Sequence, residues 1–215
     1  MLTFIHRYLL DLFFPQSCLG CGQPKERLCV RCLDELPPQN AQEKGVFSVF
    51  DYQTALIKRA IWRLKYKGEK PIALRLGQEL YRRGRARLDL PANQHQPLIV
   101  IPIPLSRRRL AERGFNQAAL IAKALVDCNP SQLRFADDVL VKIKNTAAQV
   151  AMKSRAARRA NLAGAFAVRN SALVAGQTII LIDDVATTGA TMAEAKRTLM
   201  SVGAKRVISL TVARG

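Results

Sequence analysis

The sequence predicts an α/β protein with a mostly parallel sheet and a small cysteine-bearing segment near its beginning. Short β-branched runs, LIVIPIP at 98–104 and TIILID at 178–183, are typical of buried parallel strands. Helical periods separate them, and 178–212 forms a strand–helix–strand unit of about 35 residues. Four of the five cysteines lie between 18 and 32, in two CxxC pairs.

The length of 215 residues suits one α/β domain with a small attachment. We expect residues 1–38 to hold an apolar helix and a zinc knuckle of four cysteines, and residues 46–215 to form the α/β domain. Pro37 and Pro38 begin a linker between them. Hydrophobic residues make up 49% but aromatic residues only 6%, so aliphatic side chains must build the core.

The opening, MLTFIHRYLLDLFF, is apolar but too short to span a bilayer, and it contains Arg7 and Asp11. We expect an amphipathic helix packed on the protein, with membrane contact as the lesser alternative. No later segment is long and apolar enough to span. The lack of a spanning segment, together with cysteines of metal-binding spacing, favours a cytoplasmic protein in a reducing compartment.

The chain is strongly basic, with 34 Lys and Arg against 16 Asp and Glu and a net charge of +18. Such a field attracts nucleic acid, phosphorylated metabolites or anionic lipid, and a solvated basic surface is the alternative. The charge does not choose among these anions.

Hydrophobic periodicity predicts the elements that carry the functional motifs. The first predicted helix buries Ile57, Ala60, Ile61 and Leu64 on one face. The predicted strands are 46–53, 98–104, 138–143, 164–168, 178–183 and 207–212, and the predicted helices are 54–66, 71–90, 118–126 and 191–202. An Arg-rich loop is expected at 106–117.

The strongest functional signal is IILIDDVATTGAT at 179–191. A buried strand delivers Asp183 and Asp184 to its carboxyl end, where ligands bind in open α/β sheets. A loop of small and hydroxyl residues then enters a helix, so backbone N–H groups and the helix dipole can hold a phosphate. The alternative is an ordinary strand-to-helix turn capped by threonine. The predicted cradle is Val185, Ala186, Thr187, Thr188, Gly189, Ala190 and Thr191.

Two acids aimed at a phosphate would repel it, so they need another role. Asp183 and Asp184 can accept hydrogen bonds from two ribose hydroxyls, and they can help to place a Mg²⁺ held mainly by pyrophosphate. This motif resembles the 5-phosphoribosyl 1-pyrophosphate (PRPP) binding motif of type I phosphoribosyltransferases. The resemblance implies a type I phosphoribosyltransferase-like fold.

In that family a loop at this position binds pyrophosphate, so the resemblance implies the same role for the Arg-rich stretch here. Arg107, Arg108, Arg109 and Arg113 are suitable cations, because guanidinium binds phosphate in a bidentate way. We assign catalytic roles to Arg107 and Arg113 beside the two acids. A solvated basic loop or a nucleic-acid contact remains the alternative.

The order of motifs resembles the ComF/GntX family of phosphoribosyltransferase-like proteins, which is linked to competence and the use of external DNA. The pieces are the cysteine pairs, LKYKG at 64–68, PIPLSRRRLAERGFNQ at 102–117, the stretch 146–166 and the terminal motif, and RGFNQ at 113–117 and the terminal motif are the most specific of them. A weaker likeness to amidophosphoribosyltransferase implies that 144–161 is a mobile cover bearing Arg155, Arg158 and Asn161. An exposed basic helix is the equal alternative there.

Cys18, Cys21, Cys29 and Cys32 have the spacing of two metal knuckles, which close a tetrahedral structural zinc site. Zinc would also explain how so short a segment folds. A metal-free or disulfide-bonded hairpin is the alternative.

If the protein is an enzyme, the reaction is displacement at ribose C1, and pyrophosphate leaves with Mg²⁺. No nucleobase domain and no amino-terminal cysteine nucleophile is evident, so ligand binding without turnover is a rival. In this second hypothesis the protein is a module that senses PRPP or a nucleotide and binds DNA. Its expected partners are single-stranded DNA or DNA-processing proteins. A scaffold in a DNA-import machine is the third hypothesis. Acceptor and oligomeric state stay open.

Overall fold

The computed structural model describes residues 16–37, 39, 42–43, 45–88, 96–144 and 162–215. The expected amino-terminal helix lies outside the described residues, as does most of the expected cover, with Arg155, Arg158 and Asn161. Within the described ranges, no helix has the length and apolar character needed to cross a membrane.

Strands and helices alternate along most of the described chain. The strands are β1 Gln42–Glu43, β2 Val46–Asp51, β3 Leu98–Pro102, β4 Leu133–Phe135, β5 Leu140–Lys142, β6 Phe166–Val168, β7 Thr178–Ala186 and β8 Arg206–Arg214. The helices are α1 Val30–Asp34, α2 Ala55–Lys67, α3 Lys70–Leu88, α4 Arg107–Arg113, α5 Gln117–Asp127 and α6 Ala190–Ser201.

A six-stranded sheet forms the centre of the fold. Its order is β1-β2-β8-β7-β3-β4, and every neighbouring pair except β1–β2 is parallel. A separate antiparallel pair is formed by β5 and β6. The mostly parallel sheet agrees with the architecture that the sequence predicts.

The central strand β7 is covered on both faces. Ile180 and Ile182 lie in one core cluster, while Ile179 and Leu181 lie in the other. Successive side chains of a strand point to opposite faces, so each face of the sheet has its own apolar layer. This confirms the α/β class predicted from the uninterrupted run TIILID.

The predicted helical faces are also confirmed. Ile57, Ala60, Ile61 and Leu64 of α2 are fully buried. Helix α3 packs closely on α5, where the Cα of Gly77 faces the backbone of that helix. A Cβ built at Gly77 would lie 2.5 Å from the carbonyl oxygen of Ile121, so only glycine allows this approach.

Several elements differ from the sequence prediction, and among them α1 and β1 were not predicted. The stretch expected as an Arg-rich loop contains helix α4, which Ser106 caps by accepting a hydrogen bond from the backbone N–H of Arg109. Gly114 ends that helix at φ 76°. Strand β4 was not predicted, since its sequence LRF contains no β-branched residue. Strand β7 runs three residues beyond the predicted end at Asp183.

The cysteine segment packs against the α2–α3 pair. Leu28 and Leu33 are buried in the same core cluster as the helices. The guanidinium of Arg75 donates to the Leu28 carbonyl at 3.2 Å, and that of Arg83 donates to the Leu33 carbonyl at 2.6 Å. The segment is therefore fixed to the α/β core by apolar contacts and by hydrogen bonds to its backbone.

Candidate functional site

The terminal motif lies at the carboxyl edge of the sheet. Strand β3 ends its pairing with β7 at Pro102, opposite Ile182. Strand β8 continues to pair with β7 as far as Ala186. Residues from Asp183 onward therefore have a paired strand on one side and an open cleft on the other.

A cavity of about 880 Å³ opens at this edge. This volume is within the range of small-ligand sites, which is about 300–1,000 Å³. Its wall combines the end of α2, the β3–α4 connection, α4 and the β7–α6 loop. The polar and charged residues that line it are Lys65, Tyr66, Lys67, Ser106, Arg109, Glu112, Arg113, Gln117, Lys142, Asp183, Asp184, Thr187 and Thr191.

The two acids have different environments. The side chain of Asp184 is 5% exposed, and its Oδ2 lies 2.6 Å from Nζ of Lys65. Its Oδ1 accepts a hydrogen bond from the backbone N–H of Val185 at 2.8 Å. Asp184 is therefore already paired with a cation and an amide.

Asp183 keeps one carboxylate oxygen available. Its Oδ1 accepts from the backbone N–H of Asp184 at 2.8 Å, and none of the described residues donates to Oδ2. Burial, and next the neighbouring Asp184 charge, raise the pKa of Asp183 to about 8, although Lys65 acts in the opposite direction. Asp183 can thus accept a hydrogen bond from a ligand once it has lost its proton.

The loop after β7 presents free backbone amides. In the described part of the chain, no group accepts a hydrogen bond from the N–H of Thr187, Thr188 or Gly189. Gly189 has φ 72°, which turns the chain into α6, and Thr188 Oγ1 accepts from the N–H of Ala190 at 3.4 Å. The loop therefore has the donors that an anion needs at a helix start.

Several cations line the same cavity as the two acids. Arg113 of α4 donates to the side chain of Gln117, and its guanidinium lies 5.6 Å from the ring centre of Tyr66. Burial and the charge of Arg109 lower the pKa of Lys142, because two cations lie close together on this wall. The combination of Arg109, Arg113 and Lys142 with the free amides of the loop favours a ligand with more than one phosphate.

The predicted arginines do not all line this cavity. Arg109 and Arg113 do, whereas Arg107 lines an adjoining cavity of about 790 Å³ and Arg108 pairs with Glu112 at 2.7 Å. The helical form of α4 explains this difference, because residues in a turn of helix point in different directions.

Sequence reasoning missed Lys65 and Lys142. Lys65 belongs to LKYKG, which was noted for the family resemblance without a role. The available signal was that both charged residues in the last turn of this helix, Lys65 and Lys67, are cations. Lys142 follows no motif, and only the packing of β5 brings it to the cavity.

The basic residues at the end of α3 occupy another surface. Arg82 and Arg83 bind Glu79, and they line a third cavity beside Asp34. Neither lines the large cavity, and residues 153–159 lie outside the described part of the chain.

The structure brings Cys18, Cys21, Cys29 and Cys32 together. Their sulfur atoms all lie within 4.8 Å of one another, and the backbone N–H groups of Gly20 and Cys29 both point to Cys18 Sγ at 3.4 Å. A tetrahedral site with metal–sulfur bonds of about 2.3 Å has sulfur atoms about 3.8 Å apart. The four thiols are therefore placed to hold a metal ion.

Comparison with known families agrees with this architecture. Residues 110–215, which include most of α4 and the terminal loop, match the family model described as "Phosphoribosyl transferase domain". A solved hypoxanthine phosphoribosyltransferase from Staphylococcus aureus is similar at 15% identity, with a TM-score of 0.40, over 65% of this chain and 61% of that chain. The fold and the matched domain define a protein of the phosphoribosyltransferase-domain class.

Relatives with similarity over most of the chain narrow this class. The DNA utilization protein YhgH of Escherichia coli O6:H1 is 32% identical, covering 88% of this chain and 80% of its own length. The competence protein ComFC of Bacillus subtilis is 32% identical over 78% of this chain and 63% of its own length. Competence protein F of Haemophilus influenzae is 26% identical over 88% and 81%. The chain belongs to the ComF family of DNA-utilisation and competence proteins.

Proposed function

We propose that the cavity at the carboxyl edge binds PRPP together with Mg²⁺. The observation that carries this proposal is that one cavity is lined both by Asp183, Asp184 and Thr187 and by several cations, beside a loop whose backbone amides at 187–189 have no acceptor among the described residues. A sugar with a phosphate at one end and a pyrophosphate at the other matches this distribution of charge. The 5-phosphate would lie in the loop from Val185 to Thr191 through Ala186 and Ala190.

The acids fit the ribose. The free oxygen of Asp183 can accept from one hydroxyl, while Asp184, fixed by Lys65, can accept from the other. Asp183 is also the carboxylate best suited to support a Mg²⁺ that the pyrophosphate holds, because oxygen ligands suit this cation. Magnesium would supply charge neutralisation of the pyrophosphate.

Arg113 and Arg109 would bind the pyrophosphate. If transfer occurs, C1 gains a bond to the acceptor and loses its bond to pyrophosphate, and these guanidiniums stabilise the departing charge. Arg107, in the adjoining cavity, would contribute only if α4 moves.

Binding without transfer is the second candidate. The ion pair between Lys65 and Asp184 favours it, because this carboxylate is neutralised before any ligand arrives. The names of the relatives support a role in DNA uptake or DNA utilisation for either candidate. An assay of pyrophosphate release from PRPP, with bases, amines and DNA as acceptors, separates the two.

We also propose that the Cys18–Cys21–Cys29–Cys32 cluster holds one structural zinc ion. All four ligand positions would be taken by thiolates, which leaves no position for a substrate. The site would thus fix the segment that packs on α2 and α3.

Calorimetry with PRPP and Mg²⁺ tests the ligand. Asp183→Asn with Asp184→Asn should abolish binding while the melting temperature shows a folded protein, and Asp137→Asn with Asp138→Asn, at exposed acids outside this cavity, is the matched control. Undiminished affinity in the first double variant would reject the proposal.

A further inference from the structure

Helix α2 carries an exposed aromatic ridge, Trp62 and Tyr66, of which Trp62 lies outside the candidate PRPP cavity. Trp62 is 48% exposed and Tyr66 is 65% exposed, although both are large rings. They lie one helical turn apart on one face, with ring centres 5.9 Å apart and planes tilted by 46°. Among the described residues they form an exposed pair of neighbouring aromatic rings. Exposed apolar surface of this kind is unfavourable in water and often marks a binding site.

All charged side chains of the same helix are cationic. Residues 55–67 contain five Lys or Arg and no acid. Arg63 and Lys65 are bound to Glu69 and Asp184, whereas no described acid pairs with Lys58 or Lys67. Within the described residues these two ammonium groups have no acidic partner, so they can bind an external anion.

Cations also lie against both rings. Nζ of Lys67 is 5.7 Å from the centre of Trp62, and the guanidinium of Arg113 is 5.6 Å from the centre of Tyr66. Single-stranded nucleic acid binds surfaces where aromatic rings stack with bases and nearby cations contact the phosphates. The ridge of Trp62, Tyr66, Lys58 and Lys67 presents both features.

We propose that this ridge binds single-stranded DNA by base stacking. The strand would lead to the PRPP cavity, since Tyr66 and Lys67 line the cavity while Trp62 lies one turn away. The choice of DNA rests on the proposed function, while the stacking surface rests on the ridge itself. A second copy of the chain is a poor occupant, because the two cationic helices would repel each other.

The single tryptophan of the chain makes the test direct. Titration of the full-length protein with oligo-dT of about 15 nucleotides should quench the fluorescence of Trp62, because a base stacks on its ring. PRPP with Mg²⁺, which carries no base to stack on Trp62, should quench the fluorescence much less than the oligonucleotide does. No quenching at saturating oligonucleotide, or equal quenching by PRPP, would overturn the proposal.

Variants assign the contacts through the anisotropy of a labelled oligonucleotide. Trp62→Ala and Tyr66→Ala should each weaken binding about tenfold, whereas Trp62→Phe should keep most of it. Leu74→Ala, which truncates an apolar residue 51% exposed on α3, is the matched control and should have no effect. Equal losses in Leu74→Ala and Trp62→Ala would contradict a specific ridge.

Lys67→Ala should reduce the slope of log affinity against log salt by about 0.7, the value for one phosphate contact on a single strand. Lys205→Ala, at an exposed lysine before β8, should leave the slope unchanged. Tighter binding of duplex DNA, of an oligoribonucleotide or of anionic lipid vesicles than of oligo-dT would overturn the choice of partner.

Trp62→Ala should not alter the affinity for PRPP and Mg²⁺, because Trp62 does not line that cavity. Oligo-dT binding without PRPP binding would reject the ligand proposal and keep the ridge. The reverse result would reject the ridge alone.

Discussion

Lys65, near the end of α2, forms an ion pair of 2.6 Å with Asp184 of β7 inside the candidate ligand cavity. The two residues are 119 positions apart in the sequence, and their side chains are only 20% and 5% exposed. The contact joins the cationic helix to the acid pair, so it affects stability as well as the charge that a ligand meets.

Breaking this pair should be costly. Lys65→Met leaves a buried carboxylate without its cation, and we expect the free energy of unfolding to fall by about 3 kcal/mol. The double variant Lys65→Met, Asp184→Asn should lose less than the sum of the single changes. Denaturant unfolding of all four proteins measures the coupling, and additive losses would show that the pair contributes nothing.

Ligand affinity should depend on pH through Asp183. Its pKa is raised to about 8, because of burial and then because of Asp184, so the carboxyl is mostly protonated at pH 7. A site that needs the carboxylate should bind PRPP with Mg²⁺ more tightly as pH rises from 7 to 9, by at most about tenfold per unit. Asp183→Asn should bind weakly with a flat profile, and a falling wild-type profile would contradict this assignment.

The stability of the ligand-free protein should fall as the pH rises, whereas the affinity for the ligand should increase. The folded state binds a proton at Asp183 that the unfolded state releases near pH 3.8. This stabilising contribution is complete below that pH and is lost as the pH rises through about 8. Thermal melts from pH 4 to 9 should therefore show a steeper decline for the wild type than for Asp183→Asn.

Gly20 should be essential to the cysteine cluster. A Cβ at this position would lie 2.6 Å from Cys32 Sγ, so Gly20→Ala must displace a ligand atom. We expect about one zinc per wild-type chain and an affinity at least about tenfold lower in the variant. Competition with a chromophoric chelator measures this. Gln23→Ala, an exposed position nearby, should bind as the wild type does, and a metal-free folded wild type would reject the zinc proposal.

Two glycines of α3 should respond in opposite directions to alanine. Gly77→Ala places a Cβ 2.5 Å from the Ile121 carbonyl oxygen and should destabilise the protein by about 1–3 kcal/mol. At Gly84 the nearest atom is 3.7 Å away, so alanine fits and should stabilise the helix by up to about 1 kcal/mol. Unfolding curves of both variants decide this, and a neutral Gly77→Ala would show that α3 and α5 can separate at little cost.

The elements with strong local signals were predictable. The β-branched run of β7 is buried on both faces, and the periodic apolar face of α2 is buried against the core. Helix α4 was expected as a loop, because Ser106 is followed by three successive arginines instead of an apolar period, so its role as a helix cap could not be recognised. Strand β4 contains no β-branched residue, and it is recognised only from its pairing with Leu98 and Val100 of β3.

The sequence by itself determined the acid pair, the small-residue loop beside it and the four cysteines, since the residue types and their spacing carry that chemistry. The tertiary structure alone decided which cations face the acids. Lys65 and Lys142 come from distant elements, and Arg107 is turned to the neighbouring cavity by the pitch of α4. The physical reason is that local patterns encode backbone conformation and burial, whereas contacts across a cavity depend on how whole elements pack.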